Sequence, residues 1–365
     1  MTSRMLKCPH CTDTVLQHVE LHGQELDTCT TCHGLWFEDR ELNHILRNKH
    51  EIQDDYCIRQ RFGEPLNQHI YDCHRCNAPM QQYHLLKDYH LEVDACQHCG
   101  GIWVEGDKVA TVLAAPKLQD ALEQLNRKVS VKSWLFQFFT RMPREYNIKP
   151  HRTPYMTWAL MLLNTVIFAL YGFDYDASDW VASHLAFNSL SILQGEQWWS
   201  FISYQFLHGG LVHLVGNMYF LWIIGDNLED ALGPWRFLGY YLLCGVAAAV
   251  LELLVSLTFG RDLLMVGASG AIAGLFGMYL LWFRHASLSF MFIVWQKKLS
   301  PIWYFIIWAA MNIFGLLSMD MGVAYAAHLG GFGVGLIIGL MLKQQVLEHN
   351  PLLQLLQRPE ANIMR

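Results

Sequence analysis

Charge is what this sequence has least of. Asp, Glu, Lys and Arg make up only 16% of its 365 residues, whereas 53% are hydrophobic and 13% aromatic. That balance excludes an ordinary soluble domain for the whole chain and predicts membrane spans. The first 15 residues contain no apolar core, so no secretory signal or transit peptide is expected there. Residues 173–200 contain no Lys or Arg at all, which bears on orientation below.

The charges that are present divide the chain. Residues 1–106 hold 9 Lys+Arg against 16 Asp+Glu, residues 107–152 hold 9 against 4, and the last 213 residues hold 8 against 12. The expected organisation is an acidic head (1–106, in two parts, 1–50 and 66–106), a basic amphipathic connector (107–152), an apolar body (153–345) and a short tail (346–365).

Eight of the ten cysteines in the sequence lie in the head as four Cys-x-x-Cys pairs: Cys8/Cys11, Cys29/Cys32, Cys73/Cys76 and Cys96/Cys99. The two halves repeat beyond the cysteines, since Cys29-Thr30-Thr31-Cys32-His33-Gly34-Leu35-Trp36 aligns with Cys96-Gln97-His98-Cys99-Gly100-Gly101-Ile102-Trp103. Four thiolates closing on one point are what a structural Zn²⁺ requires. Units this small need the metal's folding energy, roughly 10–16 kcal/mol in zinc-finger peptides. The pattern resembles tandem zinc ribbons of the transcription-factor type and implies two structural zinc ions. Disulfides would need an oxidising compartment, so zinc places the head in the cytosol. Phosphate binding needs a basic face, and this head is acidic, so nucleic acid is not expected and a cytosolic protein partner or regulatory role is. Cys57 and Cys244 are left as packing residues.

Within the connector, Asp107–Lys128 has helical apolar spacing, and Trp134–Phe139 is aromatic between Lys and Arg residues. Such a stretch before an apolar span suits the cytoplasmic surface of a bilayer. The body contains six apolar runs, about 154–172, 210–228, 234–259, 268–283, 301–319 and 325–344. With the N-terminus inside, loop 173–200 falls outside, loop 260–267 offers only Arg261, and the internal loop 284–300 carries Arg284, Lys297 and Lys298. The positive-inside rule and the zinc argument therefore agree, and both termini are expected in the cytosol. The predicted class is an all-α polytopic membrane bundle with a small β-rich head.

One apolar run opens with Gly267-Ala268-Ser269-Gly270. A helix start offers unpaired N–H groups and positive potential beside that hydroxyl. Taken alone, the segment reads more readily as a capped, glycine-rich membrane helix. Three other residues change this, because the topology puts His213, Asn217 and His328 at the same outer depth as Ser269. His213 and Asn217 are i, i+4 on one helix face. Gly331 and Gly335 run below His328 and can press on Gly270 and Gly274, bringing imidazole beside hydroxyl. No acidic residue is placed to orient His328, so a Ser–His dyad is expected.

Gly267-Ala268-Ser269-Gly270, Ala327-His328-Leu329-Gly330-Gly331-Phe332-Gly333-Val334-Gly335 and His208-x4-His213-x3-Asn217 resemble the signatures of rhomboid intramembrane serine proteases. Gly225-x3-Glu229-x3-Gly233 resembles that family's segment at the inner end of the second span. The resemblance implies Ser269 as nucleophile, His328 as general base, and an oxyanion hole from the Ser269 N–H, His213 and Asn217. It implies no cofactor for catalysis and substrates that are transmembrane proteins of the same bilayer, in a bacterial inner membrane. Two positions depart from the family pattern: Ser200 stands where an Arg is usual, and Ala273 where many members have an aromatic under the histidine. Glu229 is read as a structural acceptor, His208 as a loop-positioning residue, and Glu252 is left without a role. The rival readings are an inactive rhomboid-like protein that binds or chaperones membrane clients, and a transporter, against which the lack of inverted repeats speaks.

Overall fold

The structure, a computed structural model, describes residues 6–52, 55–66, 68, 70–260, 263–318 and 323–365. Arg261 and most of the loop 320–324 lie outside the described residues. The chain forms two units, Met1–Arg127 with Gln354–Met364, and Lys128–Leu353 with Arg365.

The first unit contains one six-stranded antiparallel sheet. Its strands are β1 (Gln17–Leu21), β2 (Gln24–Thr28), β3 (Leu35–Phe37), β4 (Gln81–Leu86), β5 (Tyr89–Ala95) and β6 (Ile102–Val104), in the order β1-β2-β3-β6-β5-β4. Each repeat supplies three strands, and they join where β3 pairs with β6 through Trp36↔Trp103. The internal repeat explains the join. A Cβ on Gly101 would lie 2.0 Å from Trp36 and one on Gly34 would lie 2.3 Å from Trp103, so each repeat's indole roofs the other repeat's glycine. The cysteines, both tryptophans, Leu16 and Met80 form the core of this unit.

Helix α1 (Glu41–His50) and helix α2 (Ala115–Asn126) complete the unit. The compact unit runs on to Arg127, past residue 106, and the apolar stripe of α2 (Leu118, Ala121, Leu122 and Leu125) is buried. The tail is also more than a solvated end. His90 N–H donates to Glu360 O at 2.8 Å, and Asn362 N–H donates to Asp88 O at 2.9 Å. Asn126 ties the ends together, donating to Asn362 O at 3.0 Å and accepting from Met364 N–H at 2.8 Å.

In the second unit the latter half of the connector folds onto the loop 284–300. Helix α3 (Val131–Thr140) and strand β7 (Arg144–Tyr146) meet a hairpin, where the charge pattern of 284–300 predicts only a loop. The helices that follow are α4 (Tyr155–Tyr171), α5 (Tyr175–Leu185, within the loop 173–200), α6 (Leu211–Leu232), α7 (Pro234–Phe259) and α8 (Ser269–Trp282). Strands β8 (Phe187–Asn188) and β9 (Leu264–Met265) pair with each other between these helices. The hairpin is β10 (Ser287–Phe292) with β11 (Trp295–Leu299), and β10 also pairs with β7. Gln137 donates to Ser289 O at 2.6 Å and Trp134 to Val294 O at 3.0 Å, pinning α3 against the hairpin. Helices α9 (Pro301–Leu317) and α10 (Tyr325–His349) close the bundle.

Helices occupy all six expected apolar runs. By length and apolarity alone, α7 and α10 can cross a membrane, and α6 makes a third with Ser200–Phe206 through a 93° bend. Helices α4, α8 and α9 are shorter apolar helices. The 14 residues of α8 rise about 21 Å, less than a bilayer core. Every residue of α8 except Ser269, Leu280 and Leu281 is buried, so this helix is the axis of the unit.

The starts of α4 and α10, at Pro154 and Ala324, have no side-chain cap of their own. Other helices supply the acceptor. Glu229 accepts from Met156 N–H, Thr157 N–H and Thr157 Oγ1 at 2.8–2.9 Å. Glu252 accepts from Ala327 N–H at 2.8 Å. Both carboxylates thus answer orphan donors and the positive end of a helix dipole.

Asn126→Ala removes both the donor to Asn362 and the acceptor for Met364, costing about 1–3 kcal/mol of local stability. Hydrogen–deuterium exchange should then be faster at His90 and Asn362, with the amides of β3 and β6 unchanged.

Candidate active site and metal centres

The apolar strips of α8 and α10 bring the two distant motifs together. A Cβ on Gly331 would sit 2.0 Å from Gly270 O, and one on Gly335 would sit 1.9 Å from Gly274 O. The two backbones touch, which only glycine allows. This contact places Ser269, in the first turn of α8, across from His328, in the first turn of α10.

Ser269 Oγ lies 2.8 Å from His328 Nε2. On the other side of the ring, Nδ1 lies 2.8 Å from Asn312 Oδ1. Asn312 donates its own N–H to Trp308 O at 2.8 Å, which settles the direction of the amide. An amide oxygen only accepts, so Nδ1 carries the proton and Nε2 presents its lone pair to the serine. Asn312 was not anticipated. It is a buried amide inside an apolar helix, and strongly polar groups in such places are the available signal. The aromatic companion that Ala273 cannot supply comes from Trp308, whose ring centroid is 5.9 Å from that of His328.

The segment before Ser269 is held from below. Gly267 has φ 130°, and its N–H donates to Tyr204 O at 2.9 Å. A Cβ there would lie 2.8 Å from His213 Cε1 and 3.6 Å from Ser269 Oγ, so the ring and the hydroxyl both border the space at Gly267. Asn217 lies one turn further along α6 and donates to His213 O at 3.0 Å. Only one of its two N–H bonds is so committed among the described residues. His208 is buried, with its peptide clamped by the Tyr171 hydroxyl, 2.9 Å from His208 O and 2.6 Å from its N–H. Ser200 is also buried, at the start of the bent segment.

Ser269, His328, His213, Asn217 and Trp308 line one cavity of about 700 Å³. Chemically, the arrangement couples a hydroxyl to an oriented imidazole next to further polar hydrogens. Glu229 stands at the other end of α6, capping α4, and takes no part in this cavity.

In the first unit the four thiols of Cys8, Cys11, Cys29 and Cys32 lie within 4.8 Å of one another, as do those of Cys73, Cys76, Cys96 and Cys99. The Sγ–Sγ separations of Cys8–Cys32, Cys73–Cys99 and Cys76–Cys96, 3.4–3.7 Å, approach the ~3.8 Å edge of a tetrahedron built on a Zn–S bond of ~2.3 Å. Burial opposes ionisation of Cys29, but the backbone N–H groups of Cys32 and Thr31 outweigh it and bring the thiol down to about 6. The amides of Cys99 and His98 likewise overcome burial at Cys96 and bring it to about 7. Each ribbon therefore offers one thiol that ionises readily near neutral pH and can begin ligation. These are two structural zinc sites.

Elemental analysis of the full chain should give two zinc ions per molecule, and Cys96→Ser should leave one. Gly335→Val should force α10 off α8 by more than an ångström and open the Ser269–His328 contact. Intact zinc content with lost serine reactivity would be the signature.

Comparisons with known proteins agree with these two parts. Residues 195–345 match the family described as "Rhomboid domain", and residues 7–48 and 72–114 each match "Transcription factor zinc-finger". "RHOMBOID-like protein 4" of Arabidopsis thaliana is 36% identical over 151 residues, covering 41% of this chain and 36% of the relative. "Rhomboid protease GluP" of Bacillus subtilis is 35% identical over 134 residues, covering 37% of this chain and 25% of the relative. "Rhomboid-related protein 1" of Caenorhabditis elegans is 30% identical over 171 residues, covering 43% of each. The chain thus spans less than half the length of these relatives. With Ser269 and His328 both inside the matched region and two ribbon repeats ahead of it, the chain carries a rhomboid domain over residues 195–345 behind an N-terminal tandem zinc ribbon.

Proposed function

We propose that this protein is an intramembrane serine protease that hydrolyses peptide bonds in or near the transmembrane segments of other membrane proteins. The observation that carries the reading is the 2.8 Å contact between Ser269 Oγ and His328 Nε2 inside a lined cavity. A serine hydroxyl alone is a weak nucleophile. An imidazole that accepts its proton as the Oγ–carbon bond forms makes it competent. His328 then returns that proton to the leaving amine, and water, activated by the same imidazole, releases the acyl group from Ser269.

Asn312 keeps Nδ1 protonated and steadies the imidazolium that forms, a task an aspartate performs in soluble triads. The Ser269 N–H, the His213 ring and the Asn217 amide are the donors for the developing oxyanion. The glycine at 267 leaves the space the His213 ring occupies.

The six apolar runs serve as six crossings in this reading, with short α8 and the bent start of α6 surrounding a cavity open to the outside. Positive charges on loop 284–300 and their absence from 173–200 support cytosolic termini. This reading places the chain in a bacterial inner (cytoplasmic) membrane. The zinc ribbons act as a cytosolic docking or regulatory module for a protein partner rather than for nucleic acid, because the head carries 16 acidic against 9 basic residues. No site residue favours the alternative of an inactive protein that binds or chaperones membrane clients.

Ser269→Ala should abolish labelling by a fluorophosphonate probe and lower cleavage of a membrane-helix substrate by roughly 10⁴-fold or more, with thermal unfolding unchanged. Equal cleavage by this variant would refute the assignment. Asn312→Ala should lower kcat roughly 10²-fold and shift the acid limb of the rate–pH profile, while leaving KM near the wild-type value.

A further inference from the structure

At the ends of the membrane helices opposite Ser269, a second cavity of about 410 Å³ opens between the starts of α4 and α7 and the ends of α6 and α10. Arg152, Arg236, His151, His349 and Asn350 line it, with Asp230 as the only carboxylate. That carboxylate is already engaged, 3.1 Å from His151 Nδ1 and 2.9 Å from the Arg152 backbone N–H. Neither guanidinium has an acceptor among the described residues. Two permanent cations thus face a cavity whose one anion is turned to other donors. A neighbouring cavity, also about 410 Å³, shares Arg152 and Asp230 and continues past Thr153, Pro154, Tyr155 and Pro234, with Glu229 in its wall turned to Met156 and Thr157. The exposed rings of Tyr155, Trp158 and Trp235 flank this end of the bundle, as side chains of an interfacial belt do.

From these observations we infer that the cavity holds the phosphate head group of an anionic phospholipid, with Arg152 and Arg236 on the phosphate oxygens and the acyl chains leaving along the adjoining cavity. Guanidinium groups present several N–H donors in a fixed fork that matches phosphate oxygens. Basic pockets between membrane helices on the cytosolic side suit such head groups. An apolar outlet beside the cationic pocket fits an amphiphile and gives a free phosphate nothing to occupy. The site joins all four helices that meet there, and one of them, α10, carries His328 at its far end. The inference depends on the membrane placement of this unit and not on the serine chemistry.

Native mass spectrometry of the full chain in detergent tests it, with phosphatidylglycerol, phosphatidylcholine and inorganic phosphate as separate additions. Wild type should retain phosphatidylglycerol in preference to phosphatidylcholine, and millimolar phosphate should not displace it. A cation near the membrane surface contributes a factor of about five, so Arg152→Gln with Arg236→Gln should lower retention about 25-fold. Arg152→Lys with Arg236→Lys should restore only the part that charge alone supplies, since the fork is lost. Unchanged zinc content and melting temperature show that the variants are folded. Equal retention of the two lipids, no effect of the double glutamine variant, or displacement by inorganic phosphate would each overturn the assignment. Loss of probe labelling at Ser269 bears on the protease reading alone.

Discussion

Backbone meeting backbone between α8 and α10 is the constraint from which the rest of the membrane unit follows. Where Gly270 and Gly274 lie on Gly331 and Gly335, no side chain separates the two helices. Close approach of this kind takes the place of the hydrophobic driving force that lipid does not provide. Ser269 and His328 are each one short step from this seam, so their separation is set by main-chain contact rather than by side-chain packing. A serine and a histidine 59 positions apart in sequence are thereby held within hydrogen-bond distance.

Buried carboxylates do related work at the helix ends. Glu229 closes the start of α4 and Glu252 the start of α10, where Pro154 and Ala324 give no side-chain cap. An unpaired carboxylate at these depths would be costly, yet each is set against backbone donors and a helix dipole. Glu252 fixes the turn immediately before His328. The Ser–His geometry therefore rests on two supports, the glycine seam along the helix and a carboxylate at its tip.

Much of this was legible in the sequence because the motifs are spaced by helical periodicity. The i, i+4 step from His213 to Asn217 and the glycine strips both follow from 3.6 residues per turn. The four Cys-x-x-Cys pairs needed only counting. Other features have no such local mark. Asn312 orients His328, but nothing in the apolar run 301–317 ties that amide to a ring on another helix. The hairpin Ser287–Leu299 reads as a cationic loop, since its third strand, Arg144–Tyr146, lies more than 140 positions earlier. Helix Ala115–Asn126 has a clear apolar stripe, but a stripe does not say which surface will cover it. The fusion of two ribbons into one sheet depends on Trp36 and Trp103 exchanging partners across repeats. The alignment of the repeats reveals these residues but not the exchange.

The pairing of Glu360–Met364 with Asp88, His90 and Asn126 has a consequence for biosynthesis. Residues at the start of the chain emerge first, so the ribbons can take up metal while the membrane helices are still being made. Their last hydrogen bonds must wait until residues 360–364 have been made. A polypeptide that stops short of residue 360 leaves the Asp88–His90 turn with unanswered polar groups.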